Sequence, residues 1–317
     1  MHDKFKELNP LIRISSDKKI YAFSESMTPV AQAKPGDVVL FETNDCFGGQ
    51  IPDEGTLCTE IDFNYINPAT GPLEVIGAER GDLLGVTIQS IEFNGPSITV
   101  AVPGEGFLPD KVDASLTRVS SRDEARKVVT FRGIDVPARP MIGVIGVATD
   151  EGNGAIATGT PWTHGGNMDT IDIAPGATLW LPVFQRGAML AMGDCHAAMG
   201  DGEVCCSGAE TAAQVTVRLD LAKGAAFDWP LLVTKEAVEV IVSGDSLDQA
   251  AQGATDAMVG LAARALGLEW KDALILCSLA MDLRVCQVVD PRKTMRASMP
   301  LSVLPWEKVR RGRSTSH

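Results

Sequence analysis

The amino-acid sequence predicts a mainly β fold that ends in a smaller α+β part. From about residue 19 to residue 220, short apolar and often β-branched runs alternate with Gly, Pro, Asn and Asp clusters. This alternation is typical of strands joined by turns, and it favours a jelly-roll-like β-sandwich core. After residue 243 the apolar residues recur every three or four positions, which is the period of a helix. We expect one unit over residues 1–317, with a β-rich core over about 19–220 and a closing α+β part over about 221–317.

Seven apolar runs are the strongest strand candidates. Each is rich in residues that pack well on a pleated surface, and each is bounded by residues that favour turns. The runs cover residues 38–41, 83–91, 97–102, 141–147, 178–183, 188–191 and 214–219. Together they supply the framework of the predicted sandwich.

One amphipathic helix is predicted in the C-terminal part. Ser243 or Asp245 can cap its start, and Gly267 can end it in a left-handed conformation. A second helix over 271–280 and a closing strand over 283–289 are expected to follow. The apolar face of the first helix consists of Leu247, Ala251, Ala254, Met258, Leu261 and Ala265.

Composition and charge argue against several classes of protein. The formal net charge is -13 and the basic residues cluster only in a short C-terminal tail, so nucleic acid would be repelled. No apolar stretch approaches the length of a membrane span, and the polar N-terminus does not resemble a signal peptide. The seven cysteines are odd in number and include no CxxC. We therefore expect a cytoplasmic protein with reduced thiols and with no membrane or nucleic-acid partner.

Histidine is rare and marks the candidate site. His2 and His317 lie at the termini, which leaves His164 and His196 as the internal candidates. His164 precedes two glycines, and such a loop lets the backbone approach a ligand closely. His196 lies in a turn-rich stretch with three carboxylates. The residues that accompany these histidines are Gly165, Gly166, Asn167, Asp169, Asp194, Asp201, Gly202 and Glu203.

This mixture of imidazole and carboxylate groups favours a divalent cation. Such ligands suit zinc, nickel, manganese or iron, whereas an oxygen-only subset would suit calcium. Asp45 and Asn67 lie in two further polar segments, where turn roles are an equally good interpretation. Cys195 directly precedes His196, and neighbours in a strand point to opposite faces. We interpret Cys195 as a small packing residue rather than a nucleophile.

Several of these motifs together resemble the acetamidase/formamidase family in order and spacing. The matching segments are 34–37, 44–45, 67–72, 81–82, 164–169, 181–183, 187–188, 193–197, 200–203 and 282–290. The resemblance implies a cytoplasmic amidohydrolase that splits formamide, acetamide or related short amides on a largely β fold. It also implies a homodimer or higher homo-oligomer. Ala198-Met199 and the Cys205-Cys206 pair depart from the family pattern, which leaves the choice of substrate open.

The resemblance leads to a hypothesis for the chemistry. A divalent ion, zinc in the first place and otherwise calcium, nickel or manganese, would activate the water that attacks the amide. Glu203 would move the proton of that water to the leaving nitrogen. The expected metal ligands are His164, Asp169, His196 and Asp45. The other expected catalytic carboxylates are Asp194 and Asp201. The expected substrate-binding residues, of which the glycines would act through free N–H groups, are Gly165, Gly166, Asn167, Asn67 and Gly202.

Three other interpretations stay open at this point. A cupin-like metal-dependent oxygenase or isomerase would fit a jelly roll, but the chain has no HxH motif. A non-catalytic ion- or sugar-binding β module would fit the Asp and Asn loops, although aromatic residues make up only 5% of the chain. A metal-free amidase would resist chelators, but we locate no residue arrangement typical of that class.

Overall fold

The computed structural model describes residues 12–224 and 227–311, so His2 and His317 lie outside it. Within these ranges the chain forms 20 strands and three α-helices. The strands are β1 (Ile12–Ile14), β2 (Lys19–Ile20), β3 (Ala22–Phe23), β4 (Ala31–Ala33), β5 (Val38–Thr43), β6 (Ala69–Val75), β7 (Leu83–Ala101), β8 (Leu116–Asp123), β9 (Val128–Phe131), β10 (Ile134–Pro137), β11 (Met141–Gly146), β12 (Ile156–Ala157), β13 (Gly165–Asn167), β14 (Thr178–Pro182), β15 (Leu190–His196), β16 (Glu210–Ala222), β17 (Leu231–Val233), β18 (Ala237–Gly244), β19 (Asp282–Gln287) and β20 (Lys293–Pro300). The helices are α1 (Leu247–Leu266), α2 (Trp270–Ala280) and α3 (Trp306–Arg311).

Two groups of paired strands form the β-rich part. In the first group β16 lies between β5 and β7, and β7 continues through β14 and β17 to β18 and β20. In the second group β15 lies between β11 and β6. The groups join where the end of β15 pairs with the start of β16. This junction brings residues of both groups to one place.

A large buried core lies between the two strand groups. Phe41 and Val215 contribute to it from the first group, and Leu73, Ile142 and Leu190 contribute from the second. All of these side chains are almost fully buried. Because the two groups share this packed core, the strands that carry the polar residues of the candidate site are held in fixed relative positions.

A second core joins the C-terminal helices to the sheet. Ala254, Met258 and Leu261 of α1 pack with Val240 of β18 and Ala297 of β20. The described helices include none that is both long and apolar enough to cross a membrane. The C-terminal part is therefore a helical layer on β18 and β20.

The predicted mainly β fold with C-terminal helices is confirmed. The predicted runs 83–91 and 97–102 form the single long strand β7, and β15 begins only at Leu190. Ala188 and Met189 have φ values of 56° and 62°, which an extended strand does not accommodate. The organisation as one unit stays a prediction.

The predicted C-terminal end of the first helix is confirmed, and its predicted N-terminal cap is wrong. Gly267 ends α1 with φ of 68°, as expected. Ser246 rather than Ser243 or Asp245 caps the start, because its side chain accepts a hydrogen bond from the Gln249 amide at 3.2 Å. Ser243 is unavailable since β18 stays paired with β20 through Gly244.

Candidate active site

A polar centre lies at the junction of the two strand groups. His196 is the last residue of β15 and pairs directly with Glu210, the first residue of β16. Asp194 lies two residues before His196 in the same strand. His196 Nε2 lies 3.1 Å from Glu210 Oε2 and 3.3 Å from Asp194 Oδ1. One imidazole nitrogen therefore faces two carboxyl groups.

The opposite edge of the His196 ring has a different neighbour. Nδ1 lies 3.2 Å from Sδ of Met199. A thioether sulfur is a weak acceptor, so this contact suits an Nδ1–H tautomer. With Nδ1 as the donor to Met199, Nε2 is the ring nitrogen on which a metal ion could replace the proton, which is the arrangement that a metal-ligating imidazole requires.

Two further carboxylates reach the centre from loops. Asp169 follows β13, and its Oδ1 lies 3.7 Å from His196 Nε2. One ligand atom each of Asp169, His196 and Glu203 lies within 4.8 Å of the others. Asp169, Asp194 and Glu203 all have left-handed φ values, of 41°, 53° and 48°. Such strained conformations in non-glycine residues cluster at functional sites.

Burial and mutual repulsion set the protonation of this centre. Burial raises the pKa of Asp169 and of Glu203 well above the usual carboxyl range. Burial also raises the pKa of Glu210, to about 7, although the nearby His196 opposes this. Burial would lower the pKa of His196, but Glu210 and Asp194 outweigh it and raise the pKa well above its usual value. All four shifts show that added positive charge would be stabilised at this centre.

A cavity of about 510 Å³ opens onto this centre. Asp194, Glu203 and Glu210 are among the residues that line it. Asn167 and Asp290 line it as well. The cavity therefore combines the carboxyl groups with polar groups able to orient a small ligand.

A glycine allows two of the carboxylates to approach each other. A Cβ atom on Gly143 of β11 would lie 2.4 Å from Asp169 Oδ1 and 2.8 Å from Asp194 Oδ2. These distances are shorter than any van der Waals contact, so a larger residue would displace one or both carboxylates. Gly208 has the same relation to His196, whose Nδ1 would lie 2.5 Å from an added Cβ.

We expect Gly143→Ala to lower the rate of any reaction at this centre by about 10²-fold, since a shift of about 1 Å at a catalytic group costs that much. Steady-state kinetics would measure the loss. Gly200→Ala is the matched control, because no described atom lies within 4 Å of the Cβ position on Gly200. Equal activity of the two variants would contradict this role of Gly143.

Two of the four predicted metal ligands are not among the residues whose ligand atoms cluster within 4.8 Å of one another. His164 is 1% exposed and packs on Phe23, with ring centroids 5.0 Å apart. Neither of its ring nitrogens has a hydrogen-bond partner within residues 12–224 and 227–311. Burial lowers the pKa of His164 to about 3, so the ring is neutral. Asp45 instead caps its own turn, since Oδ1 accepts from the Gly49 amide at 3.1 Å.

The predicted glycines serve the backbone. The N–H group of Gly165 donates to Trp162 O, and that of Gly202 donates to Cys286 O. The expectation that these two N–H groups are free to bind substrate is therefore wrong. Added Cβ atoms on Gly165 and Gly166 would lie 2.2 Å and 2.5 Å from backbone oxygens. These two glycines thus let the chain beside Asp169 pack closely against its neighbours. Of the other predicted substrate-binding residues, Asn67 and Asn167 line the cavity.

Asp201 and Cys195 have partners away from the cavity. Both carboxylate oxygens of Asp201 accept from Arg296, and Arg284 also donates to Oδ2. Cys195 is fully buried in the core between the strand groups. Burial raises the pKa of its thiol to about 12, which agrees with a packing role and not with a nucleophile.

Three residues at this site were not predicted from the sequence. They are Cys46, Glu210 and Asp290. One ligand atom each of Cys46, Glu210 and the predicted Asp194 lies within 4.8 Å of the others. Asp290 lines the cavity. Glu210 follows His196 by fourteen positions, and only the strand register shows that the two are opposite. Segment 282–290 of the family resemblance was the one signal for Asp290.

The chain is similar in sequence and structure to several known proteins. The model of the Acetamidase/Formamidase family matches residues 16–153 and 149–305. A formamidase from Methylophilus methylotrophus is 26% identical, with 68% of this chain and 69% of that protein covered. An acetamidase from Mycolicibacterium smegmatis is 28% identical over 61% of this chain, which spans 63% of that relative. A solved acetamidase structure from Bacillus halodurans is 42% identical, has a TM-score of 0.89, and is matched over 94% of this chain and 99% of that one.

Proposed function

This chain belongs to the acetamidase/formamidase family, as its motifs predicted, and we propose that it hydrolyses short-chain amides with the help of a divalent cation. Hydrolysis of short amides follows from the family. The observation that supports a cation is the buried centre in which His196 Nε2 faces the carboxyl groups of Asp169, Asp194 and Glu210. Isolated negative charges of this kind are costly without a positive partner.

The residues of the centre fit a divalent ion. Both oxygens of Asp169 and Oε2 of Glu203 are buried and have no hydrogen-bond partner among the described residues. Asp169 and His196 would hold the ion, and Asp194 and Glu210 would complete the negative surroundings. Imidazole and carboxylate donors suit zinc, with nickel and manganese as alternatives. A bound ion would act as a Lewis acid that lowers the pKa of water and polarises a carbonyl group.

Glu203 has the features of a proton carrier. Its Oε2 is buried, lacks a hydrogen-bond partner in the described part of the chain, and belongs to a side chain that lines the cavity. Burial raises the pKa of Glu203, so the carboxyl group can both take a proton from water and release it to the leaving nitrogen. Amide hydrolysis needs both transfers because an amide nitrogen leaves only after it is protonated.

Two acceptors in the cavity suit the nitrogen end of an amide. Asn167 Oδ1 and Asp290 Oδ2 are buried and accept no hydrogen bond from residues 12–224 or 227–311. An unsubstituted amide nitrogen carries two N–H donors, which can satisfy both acceptors. A site of this kind binds primary amides and leaves its polar groups unpaired with an N-substituted analogue.

The test is ammonia release from formamide, acetamide, propionamide and urea. The protein would be assayed as purified, after chelation, and after addition of zinc, nickel, manganese or calcium. We expect hydrolysis of at least one short amide, loss of activity on chelation, and recovery with one ion. No ammonia under any condition would refute the amidase assignment, and full activity after chelation would refute the cation.

The earlier alternatives are not favoured. Family membership supports amide hydrolysis rather than a cupin-like oxygenase or isomerase or an ion- or sugar-binding module. Cytoplasmic location, self-association as a homodimer or larger homo-oligomer, and the lack of a nucleic-acid partner stay predictions. Size-exclusion chromatography with light scattering would establish the oligomeric state.

A further inference from the structure

A buried arginine connects the two loops that bring carboxylates to the candidate site. Arg296 of β20 is fully buried. It lies opposite Arg284 of β19 in the strand pairing. Two cations in adjacent positions repel each other, so carboxylates are needed around them. Asp172, Asp201 and Glu239 supply these carboxylates.

The strongest of these contacts reaches the loop of Glu203. Arg296 Nη1 and Nη2 bind Asp201 Oδ1 and Oδ2 at 2.9 Å and 3.1 Å, a bidentate pair with a fixed orientation. Asp201 lies two residues before Glu203. Gly202, between them, donates to Cys286 O at 2.8 Å and accepts from the Val288 amide at 3.1 Å. The chain just before Glu203 is therefore held to the C-terminal part by both side chain and backbone.

A second contact reaches the loop of Asp169. Arg296 Nη2 lies 2.9 Å from Asp172 Oδ2, and Arg284 Nη1 lies 3.4 Å from the same oxygen. Asp172 follows Asp169 by three residues, within a tight turn in which the Ile173 amide donates to Thr170 O at 2.9 Å. The guanidinium of Arg296 thus lies between the loop of the expected metal ligand and the loop of the expected proton carrier.

We propose that Arg296 is a positioning residue that sets the relative placement of Asp169 through Asp172 and of Glu203 through Asp201. This inference rests on the proposed function, because it assigns ion binding to Asp169 and proton transfer to Glu203. Asp201, which the sequence suggested as catalytic, is on this view a connecting residue. Groups that orient metal ligands and catalytic groups commonly affect affinity or rate without contacting the substrate.

Three variants on the carboxylate side test this inference without emptying the arginine pocket. Asp172→Asn and Asp201→Asn are matched, since their side chains are 28% and 31% exposed and both contact Arg296 and Arg284. Glu239→Gln is the control. Glu239 faces the same guanidinium at 3.6 Å but belongs to β18 and to neither of the two loops. The measurements are zinc binding by titration calorimetry after chelation, kcat and KM for ammonia release, and thermal stability.

The expected results differ between the matched variants. Asp172→Asn weakens zinc binding by about 10–100-fold, as loss of an orienting partner does. Asp201→Asn leaves zinc binding unchanged and lowers kcat by up to about 10²-fold at constant KM. Glu239→Gln changes neither quantity. A merely structural role would instead change zinc binding and kcat together, in proportion to the loss of thermal stability, and that result would overturn the inference.

Failure of the proposed function would be visible separately. A wild-type protein that binds zinc but releases no ammonia would refute the amidase assignment. Zinc binding would then still test the part of the inference in which Arg296 places Asp169 through Asp172. Selective weakening of zinc binding in Asp172→Asn supports that part, and equal affinity in all three variants overturns it. A wild-type protein that binds no zinc would overturn that part directly.

Discussion

Replacement of His196 by alanine is expected to abolish both divalent-ion binding and amide hydrolysis. Among the described residues, His196 is the histidine that faces Glu210, Asp194 and Asp169, at 3.1, 3.3 and 3.7 Å. Its loss would leave carboxyl groups and the Cys46 thiol at the centre. We expect the ion affinity to fall by more than the roughly 10–100-fold that removal of an orienting residue costs. Metal content after dialysis and ammonia release would measure the two losses.

Met199→Leu is the control for this variant. It removes the contact of 3.2 Å at Nδ1 but retains the bulk of the side chain and the Nε2 side of the ring. We expect the ion affinity of this variant to fall by at most about 10–100-fold, which is the cost of losing an orienting partner and less than the loss expected for His196→Ala. An active His196→Ala variant without a bound ion would reject the assignment of His196 as a ligand.

Replacement of Glu203 by glutamine is expected to lower kcat by about 10²–10⁴-fold while the ion stays bound. Glutamine has nearly the same shape but can neither take a proton from water nor deliver one to nitrogen. The buried and unpaired Oε2 of Glu203, among the described residues, is the atom whose role would be lost. Parallel measurements of kcat and of metal content separate proton transfer from ion binding.

Glu105→Gln is a matched control for this second variant. Glu105 lines the same cavity and undergoes the same chemical change, but its side chain is exposed. Its activity should stay close to that of the wild-type protein. Loss of the ion from Glu203→Gln would make Glu203 a ligand, and full activity of that variant would exclude it as the proton carrier.

The sequence by itself determined the mainly β fold, the C-terminal helices and the family. Strand alternation and helical periodicity are local properties, so residues close in the chain report them reliably. Gly267 is an example: its identity and position predicted the end of α1, which has the left-handed φ that glycine favours. Rare histidines among glycines and carboxylates likewise directed attention to segments 164–169 and 193–203.

Only the tertiary structure decided which polar residues meet. His164 and His196 occupy similar stretches of sequence, yet His164 packs on Phe23 whereas His196 faces the carboxyl groups. Strand register, which depends on pairing across many residues, places Glu210 opposite His196. The same long-range pairing places the buried Arg296 against Asp201. A sequence lists these side chains but does not state their distances, and proton transfer, ion binding and charge pairing all depend on distance.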